Sequence, residues 1–88
     1  MVHRNITIHG RVQGVFFRHH MRLLAEELGI KGFIHNQPEG SIYIEAEGRA
    51  DIVDDFIEQC RRGSPKSEVE KVEVSEGPLE GFEYFEVR

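Results

Sequence analysis

The chain has 88 residues, 31% of them charged, with a formal net charge of −5 at neutral pH. That length allows one domain, residues 1–88, with a single two-layer core, and excludes a separate substrate domain. The acidic balance argues against a surface that gathers nucleic acid by its field, so any anion site must be local.

No run approaches the roughly 18 apolar residues of a membrane span, and the N-terminus carries a strand pattern where a signal peptide would have an unbroken apolar region. A cytoplasmic protein without a membrane partner is expected. The only cysteine, Cys60, falls on the apolar stripe of a predicted helix, so it reads as a core thiol that needs no oxidising compartment.

From Val2 to His9, apolar Ile6 and Ile8 alternate with polar Asn5, Thr7 and His9, the period of a half-buried strand. The next stretch, Gly10-Arg11-Val12-Gln13-Gly14-Val15-Phe16-Phe17-Arg18, reads as a loop that opens a helix. Its two glycines let the backbone take positive φ or pass close to a ligand, so that consecutive N–H groups can converge on one point. A helix starting behind them adds unpaired N–H groups and the positive end of its dipole, and Arg18 adds a guanidinium able to grip two phosphate oxygens. Two readings are open at this point: a phosphate cradle, or ordinary turn chemistry with a solvated arginine. Known nucleotide loops do not fit. Gly14 is followed by Val15 and Phe16 where a Walker A loop needs Lys and Ser/Thr, and no glycine separates Gly10 from Gly14 as the dinucleotide fingerprint requires.

Phe17, Met21, Leu24, Ala25 and Leu28 share one face of the first helix, which Gly29 is placed to end. Lys31 to Asn36 reads as a second strand. Pro38-Glu39-Gly40 has turn chemistry and leads into a third strand, where Ile42, Ile44 and Ala46 alternate with Tyr43, Glu45 and Glu47. Ile52, Val53, Phe56, Ile57 and Cys60 form the stripe of a second helix, with Asp51, Asp54 and Asp55 near its start and Arg61 and Arg62 in its last turn, as the helix dipole favours. Gly63-Ser64-Pro65 stops it. Val69 to Ser75 is a fourth strand, and Phe82 to Arg88 a short fifth. The order βαββαβ plus β predicts an α+β, ferredoxin-like two-layer sandwich: an antiparallel sheet with both helices on one face, the last strand protecting an open edge.

In this plan the second strand ends close to the cradle, which makes Asn36 a candidate site residue. On its own it is equally an ordinary strand-end asparagine. The pattern Ile8-x-Gly10-x-Val12-Gln13-Gly14-Val15-x-Phe17-Arg18, followed by Gly32-Phe33-Ile34-His35-Asn36-x-x-x-Gly40, resembles the two signature motifs of the acylphosphatase family in order and spacing. The likeness covers nearly the whole chain. It departs in the second motif, where the family more often has a smaller aliphatic residue at position 34 and a long side chain such as lysine or arginine at 35.

The resemblance implies hydrolysis of an acyl phosphate to a carboxylate and inorganic phosphate, with no metal and no other cofactor. It also implies that Arg18 binds the phosphoryl group together with the backbone amides of Gln13, Gly14, Val15, Phe16, Phe17 and Arg18, and that Asn36 orients the attacking water. Elementary chemistry agrees. Phosphoryl transfer through a loose transition state asks mainly for positioning and charge stabilisation. A carboxylate leaving group, with a conjugate acid of pKa about 4, departs without a general acid.

Other residues invite functional readings. The five histidines, His3, His9, His19, His20 and His35, lack metal-ligand spacing: His3 and His9 lie about 20 Å apart along a strand, and adjacent His19 and His20 diverge around a helix. They are expected at the surface. Tyr43 and Tyr84 could form a stacking platform for RNA, but the negative charge and the absence of an RNP-type run favour cover for the second face of the sheet. Asp54-Asp55 and Glu45/Glu47 read as solvated faces. The expectation is thus a monomeric acylphosphatase acting on a small acyl phosphate, with phosphate or sulfate as product or inhibitor. The alternative is a non-catalytic ferredoxin-like module that binds an anion or a partner protein.

Overall fold

The computed structural model describes every residue from Met1 to Arg88. Strand β1 (Val2–Arg11) leads through a short loop to helix α1 (Phe17–Leu28), followed by β2 (Lys31–Asn36), β3 (Ile42–Gly48), helix α2 (Ala50–Arg62), β4 (Glu68–Gly77) and β5 (Phe85–Val87). The strands form one sheet in the order β4-β1-β3-β2-β5. Neighbours among the first four run antiparallel, while β5 adds to β2 in parallel, from Gly32 opposite Phe85 to Ile34 opposite Val87. The sheet is therefore mixed at that edge, because the chain crosses the end of the sheet after β4 and returns in the direction of β2.

The core lies between one face of the sheet and the two helices. Period-two positions Ile6, Ile8, Ile34, Ile42, Ile44 and Ala46 meet Phe17, Met21 and Ala25 of α1 and Val53, Phe56, Ile57 and Cys60 of α2. Each helix is thus held by burying one apolar stripe, the main source of stability for helices this short. Gly29 closes α1 in the left-handed region, its N–H returning to Ala25 and Glu26.

Three boundaries differ from the sequence reading. A bulge between His9 and Gly10 lets β1 continue, so that Gly10 and Arg11 pair with Val69 and Glu68 of a longer β4. A Cβ at Gly10 would run into the carbonyl oxygen of Glu68, so only glycine permits this pairing. The loop toward α1 consequently starts at Val12. At the other end, β5 is confined to residues 85–87, and Phe82 and Tyr84 precede it.

The second face of the sheet carries no helix but is not simply solvated. Phe33, His35 and Tyr43 pack with ring centroids 5.4 to 6.0 Å apart, Phe82 meets Phe33 edge-on at 5.8 Å, and the Arg88 guanidinium sits 4.0 Å above the Phe33 ring. Tyr43 donates to Glu45 at 2.7 Å; burial first, then this bond and the carboxylate charge, push its pKa up to about 12. Tyr84, expected to help cover this face, is exposed.

Two further expectations are corrected here. His3 is buried beneath Phe82, and Glu47 is buried with it. His3 Nδ1 donates to Glu47 Oε2 at 2.7 Å, while Nε2 faces Asn5 Oδ1 at 2.9 Å and Glu45 Oε1 at 3.2 Å. Acceptors on both sides call for the doubly protonated ring. Glu47 also accepts the N–H groups of Glu80, Gly81 and Phe82, tying the β4–β5 connection to the sheet.

Candidate active site

The loop between β1 and α1 is pinned at both ends by buried apolar side chains, Val12 and Phe17, each 1% exposed. Between these pegs the backbone must turn within a few residues, and it does so through two positive-φ residues, Gly14 at 72° and Phe16 at 59°. Phe16 is the only non-glycine residue of the chain with positive φ, a conformation that costs an L-residue about 1–2 kcal/mol. Such strain persists only where the surroundings enforce it, and here it lies at the rim of a cavity.

Phe16 is also the N-cap residue of α1, and no side chain caps the helix. The first bond of the helix runs from the His20 N–H to the Phe16 carbonyl at 3.0 Å. The N–H groups of residues 13–19 donate to no acceptor in the protein. There is no acidic side chain in the first turn of α1, whereas α2 has Asp51 at the equivalent place. The positive end of the α1 dipole is therefore uncompensated, and the loop before it presents a run of free donors.

A cavity of about 500 Å³ opens at this point, lined by Gly14, Phe16, Phe17, Arg18 and Asn36 together with Val12, His19 and Val87. Arg18 is half-buried and belongs to none of the ion pairs of this acidic chain. Asn36 ends β2 on the same sheet face as Ile34, and its side-chain amide makes no hydrogen bond within the protein. An unpaired guanidinium and an unbonded carboxamide thus face one space beside a row of free N–H groups. His35 points to the opposite face, stacked on Phe33, so its departure from the family pattern lies away from this cavity.

Of the residues singled out from the sequence, Gln13 and Val15 do not line the cavity with their side chains. Val15 packs against the core. Gln13 reaches sideways, its Nε2 donating to the carbonyls of Gln37 at 2.8 Å and Ser41 at 2.9 Å. These bonds tie the loop to the β2–β3 hairpin, and thereby fix the separation between the free N–H groups and Asn36. Ser41 is itself buried and bonded to Gln37 and Glu39, so the hairpin end is braced from within. No sequence signal announces this brace, because the partners of Gln13 are main-chain carbonyls far along the chain. His19 and Val87 are likewise brought to the cavity only by the fold. No group of three or more His, Cys, Asp or Glu side chains is arranged to hold a metal ion.

A family model described as Acylphosphatase matches residues 4–87. The chain is similar to an acylphosphatase of Archaeoglobus fulgidus, 42% identical over 87 residues covering 99% of this chain and 98% of that protein. It is 45% identical over 84 residues to an acylphosphatase of Rubrobacter xylanophilus, covering 94% of this chain and 76% of that one. Among solved structures, the acylphosphatase of Bacillus subtilis superposes with a TM-score of 0.97 at 35% identity, over 100% of this chain and 99% of that one. The match in sequence and in fold extends over essentially every residue that builds the cavity, and the chain belongs to the acylphosphatase family of acyl phosphate hydrolases.

Proposed function

We propose that the cavity hydrolyses an acyl phosphate, with Arg18 and the N–H groups of the loop holding the phosphoryl group and Asn36 orienting the water that attacks it. The observation that carries this reading is the pairing of an unpartnered Arg18 with an unbonded Asn36 across a cavity rimmed by free amides. The planar fork of Arg18 suits two phosphoryl oxygens, and the amides complement the remaining charge. Water held by the Asn36 carboxamide attacks phosphorus; the bond from phosphorus to the acyl oxygen breaks, and the carboxylate leaves as an anion. The proton lost by the water passes to a non-bridging phosphoryl oxygen. No protein nucleophile or general acid is required, since the leaving group is already a weak base.

Residues 1–88 work as one unit, and the site is complete within a single chain, which supports a monomer. The cytoplasm suits a chain whose sole cysteine, Cys60, is a buried free thiol, its pKa driven far up by burial. No helix is long and apolar enough to cross a membrane. Inorganic phosphate and sulfate, which resemble the transferred group, act as competitive inhibitors. A module that only binds anions would use the same amides but has no need of a free carboxamide at Asn36.

The test is phosphate release from acetyl phosphate in excess EDTA by the purified chain and by its Arg18→Ala and Arg18→Lys variants. Loss of the arginine should lower turnover roughly 10³- to 10⁵-fold in folded protein, and lysine should restore little. Wild-type-like turnover by Arg18→Lys would rule out the two-oxygen contact, and an inactive wild type would favour the binding module.

A further inference from the structure

Asn36 is the last residue of β2, and the turn that follows it sets where its side chain stands. In that turn the main chain folds back so that the carbonyls of Gln37 and Ser41 both point at one amide, the Nε2 of Gln13. Each carbonyl also accepts a main-chain bond within the turn: the Gln37 oxygen from the Gly40 N–H at 3.1 Å, and the Ser41 oxygen from the Gln37 N–H at 2.8 Å. Gly40, at φ 104°, gives the backbone the freedom to turn there but no stiffness. The stiffness that keeps two carbonyls converged on Gln13 comes from side chains.

Ser41 is 3% exposed, and its hydroxyl has a single hydrogen to give. It donates that hydrogen to the Glu39 carboxylate, which leaves its lone pairs to accept the Gln37 Nε2–H at 2.8 Å. An ionised carboxylate only accepts, so the Ser41 hydroxyl cannot turn round, and the Gln37 amide is held in one orientation behind it. Glu39 is exposed, and the Ser41 hydroxyl is the foremost of the groups that hold its pKa below 4.5, so it is ionised at neutral pH. A relay thus runs from a surface carboxylate through Ser41 and Gln37 to Gln13, the first of the residues whose N–H groups are free. By its charge alone a carboxylate in the turn that follows Asn36 is ill placed, since it opposes an anion in the cavity.

We propose that Glu39, acting through the Ser41 hydroxyl, is a positioning residue of the hydrolysis: it holds the hairpin end so that Asn36 keeps its water in line with the phosphoryl group. The proposal rests on the assignment of Asn36 to the water, and its test separates the two. Turnover of acetyl phosphate and inhibition by inorganic phosphate are measured for the wild type, Glu39→Ala, Glu39→Gln, Ser41→Ala, Asn36→Ala and the double variant Glu39→Ala/Asn36→Ala, each shown native by circular dichroism. Glu39→Ala should lower kcat about tenfold, the scale of a small misplacement of a reacting group. The phosphate inhibition constant should change less than about twofold, because the loop amides stay tied through Gln13 to main-chain carbonyls. Ser41→Ala should match Glu39→Ala, and Glu39→Gln, which keeps an oxygen acceptor for Ser41, should recover most of the rate. The double variant should be no slower than Asn36→Ala, since a residue that acts through Asn36 has nothing left to position. An unchanged kcat in Glu39→Ala, a Glu39→Gln no faster than Glu39→Ala, or additive losses in the double variant overturns the proposal. Tighter phosphate binding with faster turnover, equal in both Glu39 variants, also overturns it and reduces Glu39 to a repulsive charge. Normal turnover by Asn36→Ala would refute the water assignment, and this positioning role with it, whereas failure confined to the Glu39 and Ser41 variants leaves that assignment standing.

Discussion

Replacing Glu47 with alanine removes one carboxylate and strands four donors at once: the His3 ring N–H and the main-chain N–H groups of Glu80, Gly81 and Phe82. His3 would then be a buried cation with Glu45, whose side chain is 20% exposed, as its only remaining charge partner. Breaking a buried, hydrogen-bonded charge pair by deleting one member costs about 3–5 kcal/mol. For a domain of this size each kcal/mol moves Tm by about 4–8 °C, so Glu47→Ala should melt on the order of 20 °C lower. Glu45→Gln is the control and should cost less than about 1 kcal/mol, because that carboxylate keeps contact with solvent. Thermal and urea denaturation followed by circular dichroism at pH 6 measure both. A Glu47→Ala loss no larger than that of Glu45→Gln would mean the carboxylate does not hold the β4–β5 connection, and the buried network would have to be redrawn.

The same pair gives the pH dependence a definite shape. For Glu47, burial favours the neutral acid but is outweighed by the Glu80 N–H, His3 and the Phe82 and Gly81 N–H groups, which hold the pKa below 4.5; its stabilisation is present above about pH 4.5 and fades as pH falls through the lowered value. For His3, burial favours the neutral ring but is outweighed by hydrogen bonds to Glu47 and Asn5 and the charges of Glu45 and Glu47, which lift the pKa above 6.5; its stabilisation is complete below about pH 6.5 and fades as pH rises through the raised value. Denaturation midpoints should therefore peak between those limits, and the alkaline decline should vanish in His3→Gln. Asn36→Ala should lower kcat and kcat/KM together while phosphate affinity stays near that of the wild type; a pure rise in KM would move Asn36 from the water to the substrate. Gln13→Leu should leave the chain folded but weaken phosphate binding and turnover together, since the loop loses its tie to the hairpin. Amide NMR titration with phosphate reads this out, and unaltered affinity would show that the brace is dispensable.

The cradle and its two side chains were legible in the sequence because their signals are local. Glycine spacing, a helix start and a strand end mark Gly14, Arg18 and Asn36 as candidates, and the resemblance of the two motifs to the acylphosphatase family is what selects them over ordinary turn and strand-end residues. What stayed hidden depends on partners distant in the chain. Glu47 alternates with Tyr43 and Glu45 like any solvent-facing strand residue, and its burial is decided by a loop more than thirty residues later folding over it. His3 follows Glu47 inward for the same reason. Gln13 looks like one more polar loop residue until the hairpin carbonyls arrive beside it. The fifth strand is shorter than its alternation suggests, since Phe82 turns down onto Phe33 and His3 before pairing with β2 begins.

The unfinished start of α1 has a consequence beyond the reaction. A helix that lacks both a capping side chain and an acidic first turn gives up stabilisation that α2, with Asp51, partly retains. An anion in the cradle supplies what is missing, and so acts as a detachable cap. By linkage, phosphate at a hundred times its dissociation constant would add about 2.7 kcal/mol to the folded state. The robustness of this protein is then partly a property of its surroundings. In phosphate-poor medium the loop should exchange its amide hydrogens faster and the chain should melt earlier, so the binding site and the weakest helix end are one and the same piece of backbone.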